Sequence, residues 1–281
     1  QCRVSKAFGG CLLWFHCHIV YWFCITHSDC RTGLFALVFN SGMHNTITPT
    51  NATQPGRSAG FLRLVVGCGG GLGRAWLSLL KEQDDNTAAV TTHSLGFGRS
   101  TQPALDYTQP STVEQACSWL AQHLASSAQE LRQVVVATGF LHSELGQPER
   151  SLGHLSADYL QHVMQVNAIG PALLLGRVAP LLPKQGRVVL AFVSAKVGSI
   201  GDNALGGWYG YRASKAALNQ FVKTASIELR RHNKSVICVA LHPGTVDTAL
   251  SAPFAKTGLR VRPAGVAAAE LQAVIDALTA S

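Results

Sequence analysis

The feature that most constrains the fold is one junction. An apolar run, FLRLVV at 61–66, passes directly into GCGGGLG at 67–73, and RAWLSLLKEQ at 74–83 follows with helical spacing. A short apolar run of this kind suits a buried parallel strand. Glycines let a backbone turn tightly and come close to a ligand. The N-terminus of the helix beyond them offers free N–H groups and a favourable dipole to an anion. Strand, glycine turn and helix together read as a dinucleotide-binding opening, with Gly67, Gly71 and Gly73 spaced GxxxGxG and Leu72 between the last two. A glycine-rich turn that holds no ligand is the plainer alternative.

The same alternation continues along the chain. TAAVTT (87–92), RQVVVAT (132–138), GRVVLAFVS (186–194) and KSVICVALHPG (234–244) read as strands. TVEQACSWLAQHLASSAQ (112–129), the long stretch 157–182, YRASKAALNQFVKTASIELRRH (211–232) and AGVAAAELQAVIDAL (264–278) read as helices. Strands alternating with helices imply right-handed crossovers and a parallel sheet covered on both faces. No repeat and no second domain interrupts the chain after Phe61. Hydrophobic residues make up 47% and charged residues 14% of the 281, a balance that favours a buried globular core over disorder. The net charge of +8 is scattered, without a basic run interleaved with aromatics, and argues against a nucleic-acid partner.

The helix beginning WYGYRASKAALNQF (208–221) carries Tyr211 and Lys215 four residues apart. That spacing puts both on one face, whereas Tyr209 lies elsewhere. A face of this kind is commonly only solvated. Near the C-terminal edge of a parallel sheet, where open α/β sheets bind ligands, the pair could do chemistry. An ammonium beside a phenol is expected to lower the phenol's pKa from about 10 and let it exchange a proton.

The glycine loop, Asn167, Ser194, the YxxxK pair and HPGTVDT (242–248) occur in one order. In that order the chain resembles the short-chain dehydrogenase/reductase family over about residues 61 to 278. SAKVGSIGDNALGGWYGYRASKAALN and ALHPGTVDT look more specifically like its C-factor (cell–cell signalling) branch, akin to small carbonyl reductases. The resemblance implies a single domain with a Rossmann-type doubly wound parallel sheet. It also implies an NAD(P)-dependent oxidoreductase that reduces a carbonyl or oxidises an alcohol. Tyr211 would exchange the proton, and Lys215 would lower the Tyr211 pKa and hold the nicotinamide ribose. Ser194 would bind the carbonyl, and Asn167 would hold a water that relays protons. Gly67, Gly71, Leu72, Gly73, Asp106, Gly139, Tyr211, Lys215, Pro243, Gly244 and Thr248 would line the dinucleotide. A signalling protein that binds the dinucleotide with little turnover is the alternative. A small-molecule substrate, no metal, a cytoplasmic location and a dimer or tetramer complete the expectation. Read alone, Asp106 could simply cap the next helix, Pro243-Gly244 could be an ordinary turn, and Thr248 could be a helix cap.

The chain departs from the family pattern in several places. Where two serines are usual after the strand 186–194, it has Ser194 followed by Ala195, and Ser199 is the other candidate hydroxyl. VATG (136–139) stands for the usual NNAG, so Thr138 replaces alanine. VTTHSLGFGR (90–99) has no acidic residue to hold a ribose 2′-hydroxyl. Thr92, His93 and Ser94 could donate there, and Arg74 or Arg99 could reach a 2′-phosphate, which favours NADP over NAD. No strand follows Leu278, so a sheet edge is expected to be open.

Residues 1–60 differ in character from the domain at 61–281. CLLWFHCHIVYWFCIT (11–26) is apolar and aromatic, and NTITPTNATQPGRSAG (45–60) is polar without acidic residues. Three readings stay open: a targeting or anchor segment, a stretch foreign to the functional protein, and a metal site. The last would use Cys11, His16, Cys17, His18, Cys24, His27 and Cys30, whose spacings match no zinc knuckle. The chain begins at Gln1, which fits a fragment or a processed form. Cys68, Cys117 and Cys238 sit in apolar or helical stretches and read as small buried hydrophobes of a reduced, intracellular protein.

Overall fold

The structure is a computed structural model that describes residues 11–17, 20–26 and 35–38 by their backbone, and 60–85, 91–254 and 261–280 in full. Five parallel strands carry the fold: β4 (Phe61–Val66), β5 (Thr92–Phe97), β6 (Glu130–Val136), β7 (Val188–Val193) and β8 (Val236–His242). Three N-terminal strands extend the sheet: β1 (Cys11–Cys17), β2 (Val20–Thr26) and β3 (Phe35–Val38). The order is β1-β2-β3-β8-β7-β6-β4-β5. A separate parallel pair joins β9 (Thr245–Val246) to β10 (Val261–Arg262).

Strand side chains alternate between the two faces, so each face needs its own cover. Leu62, Leu64 and Val66 share a core with residues of α2 (Pro110–Ser127), α4 (Gly170–Val178) and α5 (Tyr209–His232). Val65, Val135, Val189 and Val239 share the other with α1 (Gly71–Asp85) and α6 (Ala264–Ala277). Near-continuous apolar strands are what burial on both faces requires. The polar exceptions satisfy one another: Trp76 Nε1 and Gln133 Nε2 both donate to Gln272 Oε1, at 2.9 and 2.8 Å. This is the expected doubly wound α/β domain.

Three expectations are corrected in position. The strand expected at 87–92 lies at Thr92–Phe97, one strand length later, and residues 86–90 fall outside the described set. Thr92, His93 and Ser94 therefore open β5, and its ligand-facing end is Phe97, followed by Gly98 and Arg99. The chain then runs through a turn straight into α2, and β5 is the edge strand on that side. At the other side the edge expected to be open is paired. β3 runs antiparallel to β8, with Phe35 opposite His242 and Val38 opposite Val239. Unpaired N–H and C=O groups of an edge strand recruit a partner, and here an N-terminal strand supplies it.

The long helix expected at 157–182 is α3 (Ala157–Met164), one wider π turn at Gln165–Ile169, and α4, with a short 3-10 turn reaching Leu181. Of the candidate metal-site residues, Cys11, His16, Cys17 and Cys24 lie in strands described by backbone alone, and His18, His27 and Cys30 lie outside the described residues. Among the described residues no group of three or more His, Cys, Asp or Glu side chains is placed to hold a metal. No described helix is long and apolar enough to cross a membrane.

Candidate active site

The candidate residues converge at the C-terminal edge of the parallel strands, around the point where the chain leaves β4 toward β5 on one side and β6 lies on the other. Open α/β sheets bind ligands in such a crevice. The glycine loop lies along it. Gly67 has φ +91°, and Gly70 N–H donates to Gly67 O at 3.0 Å. A Cβ on Gly73 would lie 2.2 Å from Gly67 O, and one on Gly71 would lie 2.8 Å from Thr248 Cγ2. By contrast, a Cβ on Gly69 would meet nothing within 4 Å. The loop is thus closed where it packs and open on the face at the α1 N-terminus. No acidic side chain sits in the first turn of α1 to quench its dipole. Arg74, exposed, donates to Gly69 O at 3.0 Å. This cradle fits a dinucleotide pyrophosphate.

The loop is tied to both neighbouring strands. Gly67 N–H donates to Phe97 O at 2.7 Å, and Ala137 N–H to Val66 O at 2.8 Å. A Cβ on Gly67 would lie 2.9 Å from the Thr138 methyl. Thr138 in place of alanine is therefore accommodated against Gly67. Asp106 Oδ1 accepts from Thr108 N–H at 2.9 Å and from Thr108 Oγ1 at 2.7 Å, a local turn leading into α2. Pro243 is buried, Gly244 has φ +74°, and Thr248 leans on Gly71, so HPGTVDT forms the far wall of the crevice.

Tyr211 and Lys215 lie on the first turns of α5, both buried, with Lys215 Nζ 5.8 Å from the Tyr211 ring centre. Nζ donates to Val193 O at 2.9 Å. Burial pushes the Tyr211 phenol up to about 12 and the Lys215 ammonium down to about 8. Desolvation, which disfavours both charged forms, is the cause of each shift. Near neutral pH the pair therefore stands as a protonated phenol beside an ammonium.

Asn167 sits in the middle of the π turn, a distortion often found at functional sites. Its side chain grips one residue of the loop after β6. Oδ1 accepts Phe140 N–H at 2.7 Å, while Nδ2 donates to Phe140 O at 2.8 Å and to Ser214 Oγ at 3.1 Å. A Cβ on Gly139 would lie 3.9 Å from both Asn167 Oδ1 and Lys215 Nζ. Gly139 thus lies close to both the Asn167 amide and the Lys215 ammonium.

The serines are placed differently. Ser194 is buried and its hydroxyl donates to Asn219 Oδ1 at 2.7 Å. Ala195, not a serine, packs in the same cluster as Tyr211. Ser199 is buried at the end of a short turn against α5. Two contributors were not singled out in the sequence. Glu149, 2% exposed, accepts Gly210 N–H on its carboxylate at 3.1 and 3.2 Å, and its backbone O accepts Trp208 N–H at 2.5 Å. It anchors the helix start that presents Tyr211. Asn219 is the other. A lone Glu in QPER and an Asn eight residues past the phenol carry no local signature, so only the packed structure reveals them.

A doubly wound sheet, a glycine cradle at its switch point and a buried Tyr–Lys pair beside it define a dinucleotide-binding oxidoreductase. The short chain dehydrogenase family profile matches residues 62–258, and the chain belongs to that family. It is 30% identical over 220 residues to 1-hydroxy-2-glutathionyl-2-methyl-3-butene dehydrogenase of a Rhodococcus species, covering 77% of this chain and 91% of that one. It is 35% identical over 105 residues to the C-signal protein of Myxococcus xanthus, which spans 37% of this chain and 62% of the relative. An NADPH-bound carbonyl reductase from chicken fatty liver superposes with a TM-score of 0.63 at 21% identity, over 79% of this chain and 92% of that chain. This last likeness establishes the fold.

Proposed function

We propose that the protein is an NADP-dependent carbonyl reductase or alcohol dehydrogenase in which Tyr211 is the proton donor. One observation carries this: a buried, protonated phenol and a buried ammonium side by side, next to an open glycine cradle. Gly67, Gly71, Leu72, Gly73, Gly139, Pro243, Gly244 and Thr248 would hold the dinucleotide, and Asp106 the adenine end. Arg99 lies two residues beyond the ligand-facing end of β5, Arg74 donates to the glycine loop, and β5 carries no acidic residue, which favours a 2′-phosphate. Bound NADPH supplies two electrons and a hydrogen to the carbonyl carbon. Tyr211 gives its proton to the carbonyl oxygen. Desolvation makes the phenolate costly to form there, and lessening that cost as the proton leaves is the role proposed for the Lys215 ammonium. The Lys215 Nζ bond to Val193 O keeps that ammonium in place. Asn167 holds the Phe140 loop close to Lys215 and would hold the relay water.

Ser194 is the proposed carbonyl anchor, with Ser199 as the alternative. To donate to a substrate, the Ser194 hydroxyl must leave Asn219. This need, together with Ala195 beside Tyr211, supports a second reading: a dinucleotide-binding signalling protein with little turnover, for which the C-signal likeness speaks. Titration of the full chain with NADPH and NADH, read by nicotinamide fluorescence, tests the cofactor. NADPH should bind more tightly, and equal or weaker binding would overturn the phosphate assignment. Tyr211→Phe should keep NADPH binding and lower carbonyl reduction by about 10²–10⁴-fold. Unchanged reduction would remove Tyr211 from the chemistry, and absent reduction in both proteins would favour the signalling reading.

A further inference from the structure

A chain of aromatic rings leads outward from the proposed proton donor. Trp208 meets Tyr211 edge-on, with ring centres 6.0 Å apart and planes at 75°. Phe254 meets Trp208 at 5.2 Å and 68°, and His142 meets Phe254 at 5.4 Å and 67°. These rings come from three separate segments: the start of α5, the turn after β9 and the loop after β6. Tyr211 is buried, but Trp208, Phe254 and His142 are only half-buried. They belong to neither of the two cores that cover the sheet. Ala195 and Leu250 continue the same wall, and a Cβ on Gly139 would lie 3.7 Å from Leu250 Cδ1.

A second observation points the same way. Trp208 has φ +55° and ψ 42°, a left-handed backbone that glycine adopts freely and large side chains avoid. The two residues before it, Gly206 and Gly207, also have positive φ. Glu149 holds Trp208 there through its backbone carbonyl. A strained large residue beside a reactive group is a mark of function. Among the described residues, Lys196 pairs with Asp202 at 3.3 Å, and Arg212 donates to the Gly206 and Gly207 carbonyls. His142 Nε2 lies 3.2 Å from Ala249 O.

We propose that this wall is the substrate seat and that it selects aryl carbonyl compounds over aliphatic ones. The inference rests on the oxidoreductase reading above. An aromatic ring seated against Trp208 and Phe254 gains edge-to-face contact that an alkyl chain does not.

Initial rates of NADPH oxidation by the full chain should be compared for 1-phenyl-1,2-propanedione and 2,3-butanedione. The aryl diketone should exceed the aliphatic one in kcat/KM by about tenfold, one aromatic contact's worth. Phe254→Leu should erase the aryl preference through the aryl KM while leaving the KM for NADPH as it was. Butanedione reduced as well as the aryl diketone, or a preference unmoved in Phe254→Leu, would overturn the proposal. If NADPH binds but no carbonyl is reduced, the oxidoreductase reading falls separately. The wall is then judged by saturation-transfer NMR with benzamide: binding that Phe254→Leu weakens sustains it, and no binding ends it.

Discussion

At the scale of single residues, burial decides the chemistry of the Tyr–Lys pair more than proximity does. Lys215 carries its charge below about pH 8, well under the ordinary 10.5 of a lysine. Carbonyl reduction should therefore decline as pH rises through about 8, because the ammonium that steadies the Tyr211 phenolate is lost there. A pH–rate profile of kcat whose alkaline limb falls only near 10.5 would contradict this. The same group affects stability in a known direction. Between about 8 and 10.5 the unfolded chain holds a proton that the folded chain has shed, so the Lys215 contribution to stability rises with pH across that window. Glu149 acts through position. Its carboxylate holds Gly210 N–H, one residue before Tyr211. Glu149→Ala should cost about 1 kcal/mol, as loss of a helix-start acceptor does, measured by urea unfolding. It should also lower kcat more than it raises KM. Glu149→Gln, which keeps an acceptor oxygen, should recover most of both. A loss of stability with kcat untouched would make Glu149 purely structural.

At the scale of elements, the glycine loop separates packing from binding within one turn. A Cβ on Gly73 would strike the Gly67 carbonyl at 2.2 Å, and backbone cannot move aside cheaply. A Cβ on Gly69 would point into open space. Gly73→Ala should therefore unfold or greatly destabilise the protein in thermal melts. Gly69→Ala should melt like the parent and yet bind NADPH more weakly. Equal NADPH affinity in Gly69→Ala would mean that the open face is not the pyrophosphate site. The elements themselves were largely legible in the sequence. FLRLVV, the glycine turn and the helix after it fall where their period and composition place them, because each is a local pattern. The π turn around Asn167 was not legible, since it goes with a clasp between the Asn167 side chain and Phe140 in a distant loop. The second parallel strand was misplaced by several residues. TAAVTT is as β-prone as THSLGF, and only pairing with β4 in the register Phe61 to Thr92 selects the latter.

At the scale of the whole molecule, the sheet edge at β8 is the open question for stability. β3 pairs with β8 through four residues of each strand, from Phe35–His242 to Val38–Val239. A chain beginning at Gly60 should bare that edge. It should melt at a lower temperature or self-associate in size-exclusion chromatography, as uncovered edges do. A truncated chain that stays monodisperse and melts unchanged would show that β3 adds nothing to the fold, and the reading of residues 1–60 as foreign to the functional protein would gain.

What the sequence by itself determined is local and ordered. It set the strand–glycine–helix opening, the shared face of Tyr211 and Lys215, and the succession of motifs that identifies the family. Helical period, strand period and glycine geometry act between near neighbours, so they survive being read from a string. Tertiary structure alone decided the rest. It placed Ala195 rather than a hydroxyl beside Tyr211, turned Ser194 to Asn219, and buried Glu149 beneath the start of α5. It also buried the Tyr211 phenol, whose pKa desolvation pushes up. These outcomes depend on which groups lose their water and which distant backbone comes within hydrogen-bond reach, and both are set by packing between segments far apart in the chain.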